Sequence, residues 1–133
     1  MLQDIPVKRY MSRYVFTFKP EQEILEAAKL MSDRGISSAP VIDDIGNLVG
    51  VLSDTDCMEA ALKIGFDPSW KGLVKEYMSE NVVTVEANES VLKIAERFIK
   101  DRFRRYPVME DNRLIGQISR IDVLKALEQA QKS

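Results

Sequence analysis

The chain writes one pattern twice, and that duplication limits its possible folds more than any single residue does. "VKRYMS" begins at Val7 and "VKEYMS" at Val74, 67 positions later. "SAPVID" (38–43) and "RYPVME" (105–110) hold Pro40 and Pro107 at the same spacing. "GVLSDTD" (50–56) and "GQISRID" (116–122) share Gly-x-x-Ser-x-x-Asp at a spacing of 66, because the preceding turn is one residue longer in the first copy. Residues 7 to 62 thus have counterparts from 74 to about 128. Two copies fill almost all of the 133 residues.

Each copy reads as strand–helix–strand–strand–helix. "VFTF" (15–18) and "VVTV" (82–85) are β-branched and aromatic runs, the composition of strands. Ile24, Ala27, Ala28 and Met31 follow at helical spacing, as do Val91, Ile94, Ala95 and Phe98. Gly35 is a natural helix stop in the first copy. The second copy has Arg102 there, so its helix is expected to end differently. Pro40 and Pro107 open a second strand, where a missing N–H is tolerated. "LVGVLS" and "LIGQIS" form the third, and a second helix follows at about 54–64 and 120–131. The class is α+β. A three-stranded sheet with two helices has little core of its own, so two pseudo-symmetric units are expected to pack face to face as one module and share a core. The boundaries expected are 1–64 for the first repeat, 65–73 for a connector and 74–133 for the second. In "KIGFDPSWKG" (63–72), Gly65, Pro68 and Gly72 punctuate that connector.

What the chain lacks excludes several functions. It has no histidine, so neither a zinc site of the usual Cys/His type nor a histidine-based acid/base relay is expected. Its one cysteine, Cys57, cannot form an internal disulfide. The net charge of −2 argues against a dedicated nucleic-acid binder. No apolar run is long enough to span a bilayer, and "MLQDIPVKRY" lacks the layout of a signal peptide, so a cytoplasmic protein with no membrane partner is expected. Carboxylates, Lys and Tyr remain as acids and bases, in no visible catalytic constellation. A non-enzyme without catalytic residues, metal or required cofactor is the expectation.

Ser-x-x-Asp supports two readings. Ser53 with Asp56, and Ser119 with Asp122, fit a helix N-cap box with Asp in place of the usual Glu. The same parts suit a ligand. A helix N-terminus carries free N–H groups and partial positive charge. Serine can donate to a phosphate, and an aspartate one turn in offers two acceptor oxygens to a ribose diol. The glycine three residues before the serine lets the strand approach a neighbour or a ligand closely.

The duplicated set resembles a CBS-domain pair, a stand-alone Bateman module. The set comprises the order of elements, "VKxYMS", the x-Pro-Val strand and Gly-x-x-Ser-x-x-Asp. The resemblance covers about 7–64 and 74–130. It implies a regulatory module with two pseudo-equivalent clefts between the repeats. These would bind an adenosine-containing ligand such as AMP, ADP, ATP or S-adenosylmethionine and signal to a separate, unknown protein. It also implies a homodimer formed through helices. Carried onto this chain, one cleft would use Ser119 and Asp122 with Arg104 and Arg105. Its adenine would lie against Ile36, Ser37 and Ser38 and the loop from Ser12 to Val15. The other would use Ser53 and Asp56 with Ser37 and Ser38. Its adenine would lie against Phe103, Arg104 and Arg105 and the loop from Ser79 to Val82. The clefts differ in charge: beside the serine stands Arg120 in one copy and Asp54 in the other. A helix C-terminus accounts for Lys100 and Arg102. It accounts less well for Arg104 and Arg105, which immediately precede a strand and are read as phosphate ligands. The nucleotide is therefore expected at Ser119/Asp122, with Arg120 as a third cation. The alternative is a ligand-free scaffold for dimerisation.

Of the remaining residues, Tyr10 and Tyr77 are expected to pack, and Met11, Met31, Met58 and Met78 to lie in the core. Trp70 would cover an apolar edge or touch a partner. Cys57, near a helix start, is either a stabilised thiolate or a small buried hydrophobe.

Overall fold

The structure is a computed structural model describing residues 1–132; the last residue of the expected second repeat, Ser133, lies outside the described residues. The chain divides into two compact units. One is Phe16–Val82, and the other joins Met1–Val15 to the chain from Val83 onward. The units therefore do not follow the repeat boundaries: each contains most of one repeat and the leading segment of the other.

In the unit of Phe16–Val82, helix α2 (Ile24–Arg34) buries Ile24, Ala27 and Met31, the face read from their spacing. Gly35 ends it in the left-handed region, at φ 65°. Strands β1 (Ser38–Ile42) and β2 (Leu48–Ser53) pair antiparallel, with Ser38 opposite Ser53. α3 (Asp54–Phe66) starts directly from β2. It runs through Gly65, so Lys63 to Phe66 extend the helix rather than the connector. The expected strand at 15–18 shrinks to one residue: Phe18 alone pairs with Val41.

The other unit repeats the plan. β3 (Val85–Glu86) runs parallel to β4 (Arg105–Glu110), which pairs antiparallel with β5 (Arg113–Ser119). α5 (Val91–Asp101) and α6 (Arg120–Lys132) complete it. Arg102 ends α5 at φ 62°, also left-handed, so the two copies terminate this helix alike, contrary to expectation. The energetic difference is that arginine bears a Cβ strain there that glycine does not.

"VKRY" and "VKEY" each form a single helical turn, α1 (Val7–Tyr10) and α4 (Val74–Tyr77). Both are exchanged between the repeats. Val7 N–H donates to Glu89 O at 2.8 Å, Lys8 N–H to Ala87 O at 3.0 Å and Val91 N–H to Ile5 O at 2.8 Å. In mirror fashion, Val74 N–H donates to Gln22 O at 2.8 Å and Lys75 N–H to Pro20 O at 2.9 Å. This exchange answers the shortage of core read from the sequence. Val7 and Met11 are buried with Ile94, Phe98, Tyr106 and Ile118. Val74 is buried with Phe18, Ile24, Leu52 and Ala60. Each unit so closes a cluster of its own.

Trp70 packs edge-on against Tyr77, with ring centroids 5.5 Å apart, and covers the edge of the second cluster. Met11 and Met31 are core residues and Met78 packs against the core, but Met58 is 62% exposed. It lies on the outer face of α3, whose one buried residue is Ala60. No helix among the described residues is long and apolar enough to cross a membrane.

Candidate ligand-binding site

In both units a strand passes into a helix without a loop, and Gly-x-x-Ser-x-x-Asp lies at that junction. The glycine comes first. A Cβ on Gly116 would sit 2.5 Å from Ser12 O, and one on Gly50 would sit 2.9 Å from Ser79 O. The two glycines therefore admit the exchanged segments. Ser12 and Gln117 trade backbone hydrogen bonds of 2.8 and 2.9 Å, and Val51 and Ser79 trade two of 2.9 Å. Of the two roles read from the sequence, close approach to a neighbour is the one that the backbone makes.

The serine and aspartate then cap the helix. Asp56 N–H donates to Ser53 Oγ at 3.2 Å, and Ser53 N–H donates to Asp56 Oδ2 at 2.8 Å. At α6 the same pair of bonds measures 3.3 and 2.8 Å, and Ser119 Oγ–H also donates to Asp122 Oδ2 at 3.0 Å. The capping reading is realised twice. It leaves chemistry over: in both aspartates Oδ1 makes no hydrogen bond among the described residues, so each half-buried carboxylate retains an acceptor.

The cations separate the two junctions. Arg105 stands opposite Ser119 in the β4–β5 register, at the place that Ser38 holds opposite Ser53. Arg105 is half-buried, and its Nε is buried without a hydrogen-bond partner among the described residues. An unpaired buried donor is costly, and more so on a charged group. Arg104 is exposed, and its carbonyl accepts from Arg120 N–H at 3.3 Å, as Ser37 O accepts from Asp54 N–H at 2.8 Å. Arg120 behaves differently from Arg105. Its Nε donates to Phe103 O at 2.8 Å, and its side chain lines a groove between α5 and α6.

Ser119, Asp122, Arg104, Arg105, Arg120 and Phe103 thus belong to one unit, with the Ser12–Val15 loop held beside them by the Ser12–Gln117 pairing. Ser53, Asp56, Ile36, Ser37, Ser38 and Val82 belong to the other, where the Ser79 pairing holds the corresponding loop. The resemblance implied each loop at the serine of the other repeat, and the pairings of Ser12 with Gln117 and of Ser79 with Val51 hold the loops there; residue spacing alone gave no sign of this exchange. Cys57 is no activated thiolate. Burial, then the charges of Asp56 and Asp54, push its pKa up. Its Sγ lies 3.7 Å from Met31 Sδ. Among the described residues, no group of His, Cys, Asp and Glu is arranged to hold a metal ion.

Comparison with known proteins gives this geometry a family. The family model described as CBS domain matches residues 7–63 and 74–129. CBSX2, solved in complex with AMP, superposes with a TM-score of 0.80 at 28% identity, over 96% of this chain and 98% of that one. The CBS domain pair of protein MJ0100, solved with 5′-methylthioadenosine and S-adenosyl-L-methionine, gives 0.74 at 27% identity, over 94% and 97%. In sequence, the CBS domain-containing protein YhcV of Bacillus subtilis is 32% identical over 85% of this chain and 79% of its own length. Three archaeal relatives are longer: this chain spans 42%, 63% and 36% of them. An enzyme, L-aspartate semialdehyde sulfurtransferase of Methanocaldococcus jannaschii, is matched at 29% identity over 22% of its length. With the family model matching both repeats, the chain belongs to the CBS-domain family, as a pair of CBS domains.

Proposed function

We propose that this chain is a regulatory sensor of an adenosine-containing nucleotide, held principally at the Ser119/Asp122 junction, and that it signals to a separate protein. The observation that carries this is Arg105. A guanidinium with a buried, unpartnered Nε–H stands opposite a serine at a helix N-terminus, one turn from a carboxylate with a free oxygen. A phosphate would pair the guanidinium, and a ribose diol would use the carboxylate. Structural relatives crystallised with AMP, 5′-methylthioadenosine and S-adenosyl-L-methionine support the ligand class. The Ser53/Asp56 junction has the same cap but Ser37, Ser38 and Asp54 in place of the cations, and so suits a phosphate less well. The protein acts as a homodimer and needs no cofactor besides the ligand.

Calorimetric titration with AMP and with adenosine tests this. Asp122→Ala weakens both. Arg105→Ala weakens AMP more than adenosine. Each lost charge-assisted contact costs about 1.5–3 kcal/mol, roughly ten- to a hundredfold in affinity. If Asp56→Ala abolishes AMP binding while Asp122→Ala leaves it intact, the junctions are assigned the wrong way round. If the wild type binds neither compound, nor S-adenosylmethionine, the chain is instead a ligand-free scaffold. The carboxylate in place of arginine at Asp54 would already favour that reading for one junction.

A further inference from the structure

The end of α5 passes into the start of β4 through a short segment that carries Phe103, Arg104 and Arg105. Whatever fixes this segment also fixes where the cations of the junction stand. Two bonds hold it. Tyr106 Oη–H donates to Asp101 Oδ2 at 3.0 Å and closes the segment on itself. The Phe103 carbonyl accepts from Arg120 Nε at 2.8 Å and ties the middle of the segment to the start of α6. The Tyr106 ring is fully buried and tightly surrounded. Phe98 packs against it with ring centroids 4.6 Å apart, Phe103 meets it edge-on at 5.7 Å, and the Arg97 guanidinium lies over it at 4.8 Å. Arg97 is itself anchored, donating from Nη2 to Thr84 O at 3.2 Å.

The repeat supplies an internal comparison. Both copies make the same left-handed helix stop, and in both the second strand opens opposite the serine. In the first copy the positions of Asp101, Phe103, Arg105 and Tyr106, 67 residues earlier, hold Arg34, Ile36, Ser38 and Ala39. Arg34 turns to the Phe16 ring, 4.2 Å from its centroid, and Ala39 has no hydroxyl. The turn therefore forms without the bond. What accompanies the bond is a cation at the strand start. Side chains alternate along a strand, so Tyr106 faces the core and Arg105 the other side, across from Ser119.

We propose that the Tyr106–Asp101 hydrogen bond is a clasp that sets the start of β4, so that Arg105 meets the phosphate of the ligand already oriented. This rests on the reading above of Arg105 as the phosphate ligand and adds what holds it. A guanidinium with a buried, unpaired Nε–H gains by turning to water, and only a fixed backbone prevents that. Held in place beforehand, the side chain loses less freedom when the ligand binds. Tyr106 and Asp101 are thus positioning residues.

The test is calorimetric titration with AMP and with adenosine. Tyr106→Phe keeps the ring and removes the bond. It should weaken AMP about three- to tenfold, the scale of ordering one long side chain, and leave adenosine within about twofold. Asp101→Ala, at an exposed position, should do the same. Asp101→Asn keeps an acceptor oxygen and should retain most of the AMP affinity. In an Arg105→Ala background Tyr106→Phe should weaken AMP by no more than about twofold, because nothing remains to position. A bond that merely steadies the unit would weaken both compounds alike, in either background, and that result overturns the clasp. Should Tyr106→Phe fail to fold by melting curve, the two Asp101 variants carry the test. If Arg105→Ala weakens AMP while Tyr106→Phe and Asp101→Ala do not, the clasp alone falls. If Arg105→Ala binds AMP like wild type, or the wild type binds no AMP, the phosphate reading falls and the clasp with it.

Discussion

Gly116 admits the Ser12 carbonyl against its bare Cα, and a single methyl group measures how much depends on it. In Gly116→Ala the new Cβ would press on Ser12 O, a backbone atom held by its own pairing with Gln117. Overpacking of this kind costs typically 1–3 kcal/mol, and a denaturant melt should show a loss in that range. Arg102 and Gly35 form a complementary pair. Both end a helix at a φ just above 60°, one with a side chain and one without. Arg102→Gly relieves left-handed strain, less the extra unfolded-state freedom of glycine, and should stabilise by about 0.5 kcal/mol. Gly35→Ala meets nothing within 4 Å, so its expected cost of about 1 kcal/mol is backbone strain alone. Equal melting midpoints for all three proteins would remove strain from the account. At this scale the sequence was informative, because Ser119 and Asp122 cap a helix over three residues and Arg105 stands opposite Ser119 across one strand pair. It did not show that Arg120, read as a third cation, turns its Nε to Phe103 O; spacing fixes where a residue stands and not where a long side chain reaches.

Elements are joined in this fold by few polar contacts, and Tyr106 makes one of them. From β4 its hydroxyl donates to Asp101 Oδ2 at 3.0 Å, at the end of α5. Its ring lies under the Arg97 guanidinium at 4.8 Å. Burial first, and then the Asp101 carboxylate, push its pKa from 10.0 up to about 12. The sign follows from proton counting. Between pH 10 and about 12 the native state keeps a proton that the unfolded chain has lost, so stability falls as pH rises through that window. Tyr106→Phe loses about 1 kcal/mol at neutral pH with the hydrogen bond. Its stability should then fall less steeply than that of wild type above pH 10. Parallel curves from alkaline urea melts would show that the phenol does not titrate as described. The helices were legible at this scale because Ile24, Ala27 and Met31 declare a buried face by period. The first strands were not. "VFTF" and "VVTV" have strand composition, yet only Phe18 in one and Val85 in the other find a partner. Composition reports fitness for a sheet, while pairing needs a neighbour within reach.

Exchange of the leading segments is the property of the whole molecule that residue patterns did not carry; only the family resemblance set the Ser12–Val15 and Ser79–Val82 loops beside the other repeat's serine. Duplication announced two units with little core apiece, expected to share one. Backbone pairing over 82 residues, from Val7 to Glu89, leaves no local trace. Folding must therefore close a long loop before either cluster is complete, which slows it. The consequence for stability runs against sequence order. Deleting residues 1–12 removes Ile5, Val7 and Met11, all buried with the second repeat, together with the bonds to Glu89, Ala87 and Gln117. At about 1.5–3 kcal/mol for each fully buried side chain, the loss is several kcal/mol, comparable with the whole stability of a small domain. It falls on residues 83–132 and spares 16–82, although the deleted segment adjoins the first repeat in the chain. Hydrogen exchange read by mass spectrometry resolves the two. Amides of β4 and β5 should lose protection by orders of magnitude, while those of β1 and β2 change little. Greater loss at 38–53 than at 105–119 would mean that the leading segment belongs to its own repeat after all.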